Sequence, residues 1–200
     1  MPYPPEIYQE HNTSVLVEIV NRYPLATLIS IENNQPFITH VPLIYNNGKL
    51  IGHIDKDNPQ AKLLTNNNPV TAIFSGPDSY ISPSLFAREQ LPTWNYIKVH
   101  LTGKANAITN TEQIKNTMVE MTSFLESPDH KYILDANDVK MNQFINYVVG
   151  FEIEITHWEG KFKISQDKSD TEKQIAKQQL LSKTHQSIEA TVQTLINVKH

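Results

Sequence analysis

The sequence predicts a mainly β protein with peripheral helices, an α+β chain whose strands form an antiparallel barrel. Apolar, β-rich runs follow one another across short polar turns, which is typical of an antiparallel meander. Helical patterns occur only between groups of strands, so the regular strand and helix alternation of a parallel sheet is missing. No Gly-x-Gly-x-x-Gly turn occurs, which argues against a βαβ nucleotide-binding fold.

The first half of the chain predicts one helix followed by the meander. Three residues that suit a helix N-cap, at 12–14, precede an apolar stripe at helical spacing, and Pro24 ends that stripe. The Asn-Gly pair at 47–48 favours a tight hairpin, and Asn58-Pro59 favours the start of a short helix. The strands of this half are expected over residues 25–31, 37–44, 50–54 and 70–74.

The second half predicts two more strands, two helices and a polar tail. Strands are expected over residues 96–107 and 148–155, and helices over residues 138–147 and from Thr111 onward. Beyond Gln166 the composition becomes polar. This change divides the chain into a barrel domain, residues 1–166, and a linker with a C-terminal amphipathic helix, residues 167–200. The apolar stripe of that helix is expected at Ile175, Leu180 or Leu181, Ile188, Val192 and Leu195.

The stretch from Gly76 to Lys104 differs from ordinary core sequence. Three prolines, Pro77, Pro83 and Pro92, restrict its backbone to few shapes. Between two apolar runs it carries hydroxyls, an amide and an indole, which are groups that need partners when they are buried. A loop that lines a ligand and an ordinary loop that faces water both fit this composition.

The composition argues against several classes of function. The chain has 17 Lys and Arg against 21 Asp and Glu, a formal net charge of −4, so no overall basic field attracts nucleic acid. There is no cysteine, which excludes disulfide and thiolate chemistry. The N-terminal residues lack the features of a signal peptide, and no run approaches the roughly 20 apolar residues of a membrane helix. We therefore expect a cytoplasmic protein without membrane contact.

Two kinds of catalytic centre are not expected. The histidines are spread over different predicted strands without His-Glu-x-x-His spacing, so we expect no metal site. No Gly-x-Ser-x-Gly nucleophile elbow occurs, so acyl transfer is not expected. The residues alone identify no catalytic group, and whether the protein is an enzyme stays open.

The central stretch also carries a family resemblance. The run Gly76-Pro-Asp-Ser-Tyr-Ile-Ser-Pro-Ser84, followed by Pro92-Thr-Trp-Asn-Tyr96, resembles the signature of the PaiB family, described as FMN-binding negative transcriptional regulators. The sequence departs from the family pattern at Leu85-Phe86, where the family has an aromatic pair, and at Ala61, where it has a tryptophan. Further blocks agree in order and extend the resemblance over residues 1–168: residues 24–28, 39–43, 52–60 and 160–166.

The resemblance implies an FMN-binding split β-barrel that forms a homodimer. It also implies a negative transcriptional regulator in which the flavin acts as a sensor or cofactor. Two alternatives use the same scaffold. One is a flavin-dependent oxidoreductase acting on a small molecule, and the other is a haem-binding or haem-degrading protein. A small molecule would be the substrate of the enzyme or an effector of the regulator.

Flavin mononucleotide needs a cationic or N–H-rich pocket for its phosphate, a flat apolar slot for its ring, and donors for the ring heteroatoms. The phosphate carries about −1.5 to −2 charges near neutral pH, which one cation and several neutral donors can balance in part. Strand periodicity puts Thr39 and His40 on opposite sides, so only one of them faces a common pocket unless a bulge intervenes. The residues predicted to contact the cofactor are Thr39, His40, His53, Asn58, Lys62, Ser82, Ser84, Trp94, Asn95, Lys161, Lys163 and Gln166.

Direct DNA binding is not expected to be strong. Acidic residues interrupt the lysines of the tail, and the tail has no arginine for bidentate recognition of guanine. We expect only weak binding that disappears as salt rises. The tail lysines concerned are Lys168, Lys173, Lys177, Lys183 and Lys199.

Overall fold

The structure, a computed structural model, describes residues 3–88 and 90–184 and is dominated by strands. The strands are β1 (Gln9–Glu10), β2 (Leu25–Glu32), β3 (Gln35–Asn46), β4 (Lys49–Asp55), β5 (Asn68–Ile81), β6 (Thr93–Ile108) and β7 (Val148–Lys163). The α-helices are α1 (Thr13–Arg22), α2 (Thr111–Leu125), α3 (Val139–Phe144) and α4 (Asp170–Thr184).

The strands pair in a closed ring. Their order is β1-β7-β4-β3-β2-β5-β6, and β6 also pairs with β7, so that β2 to β7 close on themselves. The pairings of β2 with β3 and β5, of β3 with β4, and of β4 with β7 are antiparallel. The antiparallel barrel predicted from the meander is therefore confirmed.

The chain divides into two compact units. We call residues 10–76 and 98–160 the barrel unit, and residues 1–9, 77–97 and 161–200 the signature unit. Strands β5, β6 and β7 each contribute residues to both units. These limits do not coincide with the predicted boundary at residue 166, and the separate C-terminal domain stays a prediction.

The core of the barrel unit follows from strand alternation. In β2, Ala26, Leu28 and Ser30 are buried while the residues between them are more exposed. Close backbone approach requires glycine at one point of the ring. A β-carbon at Gly103 on β6 would lie 2.5 Å from the backbone oxygen of Glu154 on β7. The absence of a side chain there lets the two strands come together.

Local signals placed the first helix and the first hairpin correctly. Asn12 caps α1 by accepting the N–H of Ser14 at 3.0 Å, as expected for the triplet at 12–14. Asn47 and Gly48 both have positive φ, 48° and 88°, as a tight hairpin between β3 and β4 requires.

The sequence predicted a loop between the strands at 70–74 and 96–107, and this prediction was wrong over much of that segment. Strand β5 continues to Ile81 and β6 already begins at Thr93. The physical reason is visible in the burial pattern, because Ser79 and Ile81 are buried while Tyr80 between them is exposed. Between these two strands the described residues, 82–88 and 90–92, are irregular apart from a 3-10 turn at Pro83–Leu85. Similarly, the short helix expected after Asn58-Pro59 is a 3-10 turn at Ala61–Leu63.

The helix predicted in the tail is present as α4. Of the two alternatives for its apolar stripe, Leu180 is buried and Leu181 is exposed. Ile188, Val192 and Leu195 lie outside the described residues. In the part of the chain that the structure describes, no helix is both long and apolar enough to cross a membrane.

Candidate functional site

The signature unit brings together two sequence blocks that lie about seventy positions apart, residues 92–96 and 160–166. The Asn95 side-chain N–H donates to the Ser165 hydroxyl at 2.9 Å, and the ammonium of Lys163 donates to the Thr93 hydroxyl. Both blocks belong to the family-like pattern of the sequence, and their side chains meet directly. The start of β6 and the end of β7 therefore form one polar cluster.

Asn95 and Ser165 form the buried centre of this cluster, with 1% and 5% of their surfaces exposed. Ser165 has a φ of 67°, in the left-handed region that non-glycine residues seldom occupy. The side chain of Gln166 holds this turn, since its oxygen accepts the N–H of Ile164 at 2.8 Å and its amide donates to the Phe162 carbonyl. Gln166 thus holds the turn in which Ser165 meets Asn95.

A cavity of about 470 Å³, here called cavity A, is lined by both members of the pair. Its volume lies within the range of small-molecule sites, about 300–1,000 Å³. The lining contains the apolar side chains Ile81, Phe86, Leu91 and Pro92. It also contains the polar residues Tyr8, Gln90, Thr93, Asn95, Lys163, Ser165, Asp167 and Lys168. A cavity of this kind can hold a molecule with a flat apolar part and a polar part.

The ionisable side chains among the described residues that line cavity A leave an excess of one positive charge. Lys168 lies 3.2 Å from the carboxylate of Asp167, and this pair leaves Lys163 as the excess cation of the lining. The Tyr8 hydroxyl is hydrogen-bonded to Asp167. Burial, and then the nearby Asp167 charge, raise the pKa of Tyr8 above its ordinary value, so Tyr8 stays a neutral donor. The cavity therefore favours an anionic group near Lys163.

Besides Gln166, four predicted residues of the signature unit lie elsewhere than in the described lining of cavity A. The hydroxyls of Ser82 and Ser84 are 2.8 Å apart, and Ser82 caps the 3-10 turn at 83–85. Trp94 is 54% exposed, and its ring centroid is 6.2 Å from that of Tyr80. An indole with this exposure is not a core residue, so its face is open to a ligand or a partner.

Lys161 is the fourth of these residues, and it belongs to an aromatic cluster. Its ammonium lies 4.3 Å from the ring centre of Tyr3 and 5.4 Å from that of Tyr96. Burial lowers the pKa of Lys161, but hydrogen bonds to the two tyrosine hydroxyls outweigh it and raise the pKa above its ordinary value. Lys161 therefore stays charged.

Two of the predicted residues in the barrel unit help to hold a connection in place. Asn58 donates to the Thr39 hydroxyl at 3.1 Å and accepts the N–H of Gln60 at 2.8 Å. Gln60 is fully buried and donates to the Leu28 carbonyl and the Ser30 hydroxyl. These bonds fix the connection after β4 to strands β2 and β3.

The two remaining surface candidates of the barrel unit differ in how they are held. Lys62 forms an ion pair with Glu32 at 2.9 Å, and its ammonium lies 5.8 Å from the ring centre of Phe37. His40 is exposed on β3. Contacts of Thr39, His40, Asn58 and Lys62 with a cofactor stay predictions.

His53 is a partly buried histidine that faces helix α2. Its Nε2 is 2.7 Å from the Thr117 hydroxyl, and that hydroxyl donates to the Ile114 carbonyl at 2.8 Å. Burial lowers the pKa of His53 from 6.5 to about 4, although a hydrogen bond to the Ile114 backbone opposes this shift. The imidazole is therefore neutral at physiological pH and joins β4 to α2.

Sequence reasoning missed several residues of cavity A. Asp167 and Lys168 directly follow the block at 160–166, and that proximity was the available signal. Tyr8 and Gln90 carried no such signal, because neither lies in a regular pattern that points to a ligand.

A carboxylate lies beside the start of α4. The Glu172 carboxylate accepts the N–H and the hydroxyl of Ser169, at 3.1 and 2.6 Å. It also accepts from Gln90 at 2.7 Å and from Arg88 at 3.4 Å. The Ser169 hydrogen bonds are the main cause that lowers the pKa of Glu172 below its ordinary value. This carboxylate places a negative charge beside the start of α4, which disfavours a phosphate there and makes cavity A the better anion site.

Comparisons with known proteins agree with these features. The model of a family described as "Putative FMN-binding domain" matches residues 2–157. The "Protease synthase and sporulation protein PAI 2" of Bacillus subtilis is 28% identical over 175 residues, which cover 85% of this chain and 84% of that protein.

Two solved structures share the fold. The FAD and haem binding protein from Mycobacterium smegmatis has a TM-score of 0.66 at 17% identity and covers 84% of this chain and 80% of its own. The flavocytochrome Anf3 from Azotobacter vinelandii has a TM-score of 0.65 at 16% identity, and the match covers 84% of this chain and 74% of that chain. These similarities confirm the predicted split β-barrel fold.

The lowered pKa of His53 predicts a pH-dependent stability. The folded protein binds a proton at His53 less well than the unfolded chain does. The stabilising contribution of the neutral imidazole is therefore fully present above pH 6.5 and is lost as the pH falls towards about 4. His53→Gln keeps an amide donor for Thr117 and removes the titration, so it should weaken this decrease. Urea unfolding across that pH range measures the effect, and an identical pH dependence in both proteins would contradict it.

Proposed function

The chain belongs to the FMN-binding family whose model it matches over residues 2–157, and on that premise we propose that it binds flavin mononucleotide in cavity A. The observation that carries this proposal is the meeting of two family-like blocks at the cavity. Thr93 and Asn95 come from one block, and Lys163 and Ser165 come from the other.

The residues of cavity A match the three needs of the cofactor. An ammonium has three donors, so the bond from Lys163 to Thr93 leaves capacity for a phosphate oxygen. The apolar side chains Ile81, Phe86 and Leu91 suit the flat ring, and the Asn95 amide and Tyr8 hydroxyl suit polar atoms. Bound flavin supplies a ring that accepts and releases electrons. The protein's part is to bind and orient that ring.

The family match supports a flavin cofactor, and the choice of FMN over other flavins belongs to our proposal. The structural relatives are described as FAD and haem binding and as a flavocytochrome. The visible spectrum of the purified protein distinguishes flavin from haem, and the mass of the released cofactor distinguishes FMN from FAD. The description of the matching family names FMN, and FMN is therefore the flavin that we propose.

Replacement of Lys163 tests the cavity assignment. Lys163→Met keeps most of the side-chain length and removes the charge, so we expect FMN affinity to fall by roughly ten- to a hundredfold, the loss of one charged hydrogen bond. FMN at a hundred times its Kd should stabilise the wild type by about 2.7 kcal/mol. Thermal melts and flavin fluorescence titrations measure both effects.

The charge-matched control for this experiment is Lys140→Met, which removes an exposed lysine of α3 in the barrel unit. It should leave FMN affinity unchanged. A colourless protein whose melting temperature does not respond to millimolar FMN would refute flavin binding. Normal FMN affinity in Lys163→Met would refute the assignment to cavity A.

We also propose that the protein is a homodimer. The outward side of β2 and β3 in the barrel unit is apolar and exposed, with Leu25, Ile31 and Ile38 exposed by 61%, 70% and 57%. In the register of these strands Ile29 lies opposite Ile38, and Ile31 lies opposite Pro36, which makes the apolar surface continuous. Apolar surface of this kind is typical of contact with another protein copy.

Light scattering tests the dimer. We expect a dimer mass for the wild type at micromolar concentration and a monomer mass for the double variant Ile31→Glu/Ile38→Glu, because burial of two carboxylates in an apolar contact is costly. Ile133→Glu is the control, since Ile133 is 82% exposed and lies outside β2 and β3. A monomeric wild type would contradict the proposal.

The regulatory part of the proposal follows the resemblance to PaiB regulators and places the protein in the cytoplasm. The described lysines at the start of the tail are paired with acids. Lys168 lies 3.2 Å from Asp167, and Lys173 lies 3.3 Å from Asp170. These acidic neighbours dilute the positive charge of the tail, which also has no arginine for bidentate recognition of guanine, so regulation acts through a partner or an effector.

Fluorescence anisotropy with the gene's own upstream DNA tests this view. We expect only weak binding at physiological salt, at or above roughly 10⁻⁶ M, with equal affinity for a scrambled duplex. Nanomolar binding that prefers the upstream sequence would show that the protein is a direct repressor.

A further inference from the structure

A second cavity of the signature unit, here called cavity B, has a volume of about 460 Å³. It shares Asn95 with cavity A, and the other residues that line it are different. Its lining includes Ile97 from β6, Ile164 from the turn after β7, and Leu180 from α4. These three branched side chains give it an apolar interior of the size that small-molecule sites have.

Two lysines add positive charge to this cavity. Lys173 and Lys177 are four residues apart on α4, and Leu180 follows three residues later, so the three lie along one side of the helix. The pair of Lys173 with Asp170 is at the surface at 3.3 Å, and such pairs are weak. Among the described residues that line cavity B there is no carboxylate, in contrast to Asp167 in cavity A.

We propose that cavity B is a second binding site, for a small organic anion with an apolar body. The apolar interior takes the body of the ligand, and the two lysines on α4 take its carboxylate or sulfonate. A purely apolar ligand would leave the lysines unused, and inorganic phosphate would leave the apolar side chains unused. An amphipathic monoanion uses both parts of the lining.

The shared Asn95 gives this site a link to cavity A. Its amide is bonded to Ser165, whose turn contains Ile164 and Gln166, and both of these line cavity B. The ligand of cavity B therefore contacts the turn in which Ser165 is held. It is suited to be an effector molecule, although its binding does not depend on a flavin in cavity A.

The test uses two probes that differ only in charge. The first, 1-anilinonaphthalene-8-sulfonate, has an apolar body and one sulfonate, and N-phenyl-1-naphthylamine is the same body without the sulfonate. Fluorescence titration of the full chain should show saturable binding of the sulfonate probe, with one molecule per chain. The double variant Lys173→Gln/Lys177→Gln should weaken that binding by roughly tenfold and leave binding of the neutral probe unchanged.

Two further variants control for net charge and for cavity volume. Lys131→Gln/Lys140→Gln removes two exposed lysines of the barrel unit and should leave the affinity for the sulfonate probe at the wild-type value. Ile164→Trp narrows the cavity and should weaken saturable binding of both probes. Ile164 is partly exposed, so the larger side chain is compatible with folding, which circular dichroism can verify.

The same proteins separate this proposal from the flavin proposal. We expect Lys173→Gln/Lys177→Gln to bind FMN like the wild type, and FMN to leave the sulfonate probe in place. If FMN displaces the probe and the double variant loses both, cavity B is the flavin site and the proposal is wrong. Unsaturable probe binding, or an equal loss of affinity in the Lys131/Lys140 control, would also overturn it.

Discussion

The buried hydrogen bond between Asn95 and Ser165 is the constraint on which the signature unit depends. A buried amide without a partner costs about 1–3 kcal/mol, so the start of β6 and the turn after β7 must stay in register. This register holds Ser165 at a left-handed φ, which is a local strain of the backbone. Because Asn95 lines both cavities, the same bond sets a wall of each.

Much of the fold could be predicted because local patterns determine it. A few neighbouring residues determine each of three features: the cap at Asn12, the hairpin at Asn47-Gly48 and the alternation in β7. The extension of β5 to Ile81 was not predictable in this way, because Pro77 and the polar residues around it favour a loop locally. Pairing within the sheet outweighs that preference. The closure of β6 on β7 at Gly103 depends on residues some fifty positions apart, which no local pattern contains.

The candidate site was only partly predictable, for a physical reason that Asn58 and Lys163 illustrate. Both residues lie in family-like blocks and both carry suitable donors. In the structure Asn58 serves a connection of the barrel unit by bonding Thr39 and Gln60, whereas Lys163 lines a cavity. A sequence block combines residues that hold the scaffold with residues that meet a ligand, and only three-dimensional contacts separate them. Tyr8 shows the converse, since it lies outside every block of the resemblance quoted for the sequence and yet lines the cavity.

The crystal structure of the protein soaked or grown with FMN tests the central claim most directly. Our account predicts flavin density in cavity A, with the phosphate at Lys163 and the Asn95–Ser165 bond intact beside the ring. Flavin bound with full occupancy elsewhere, with cavity A empty and Lys163 away from the phosphate, would contradict it.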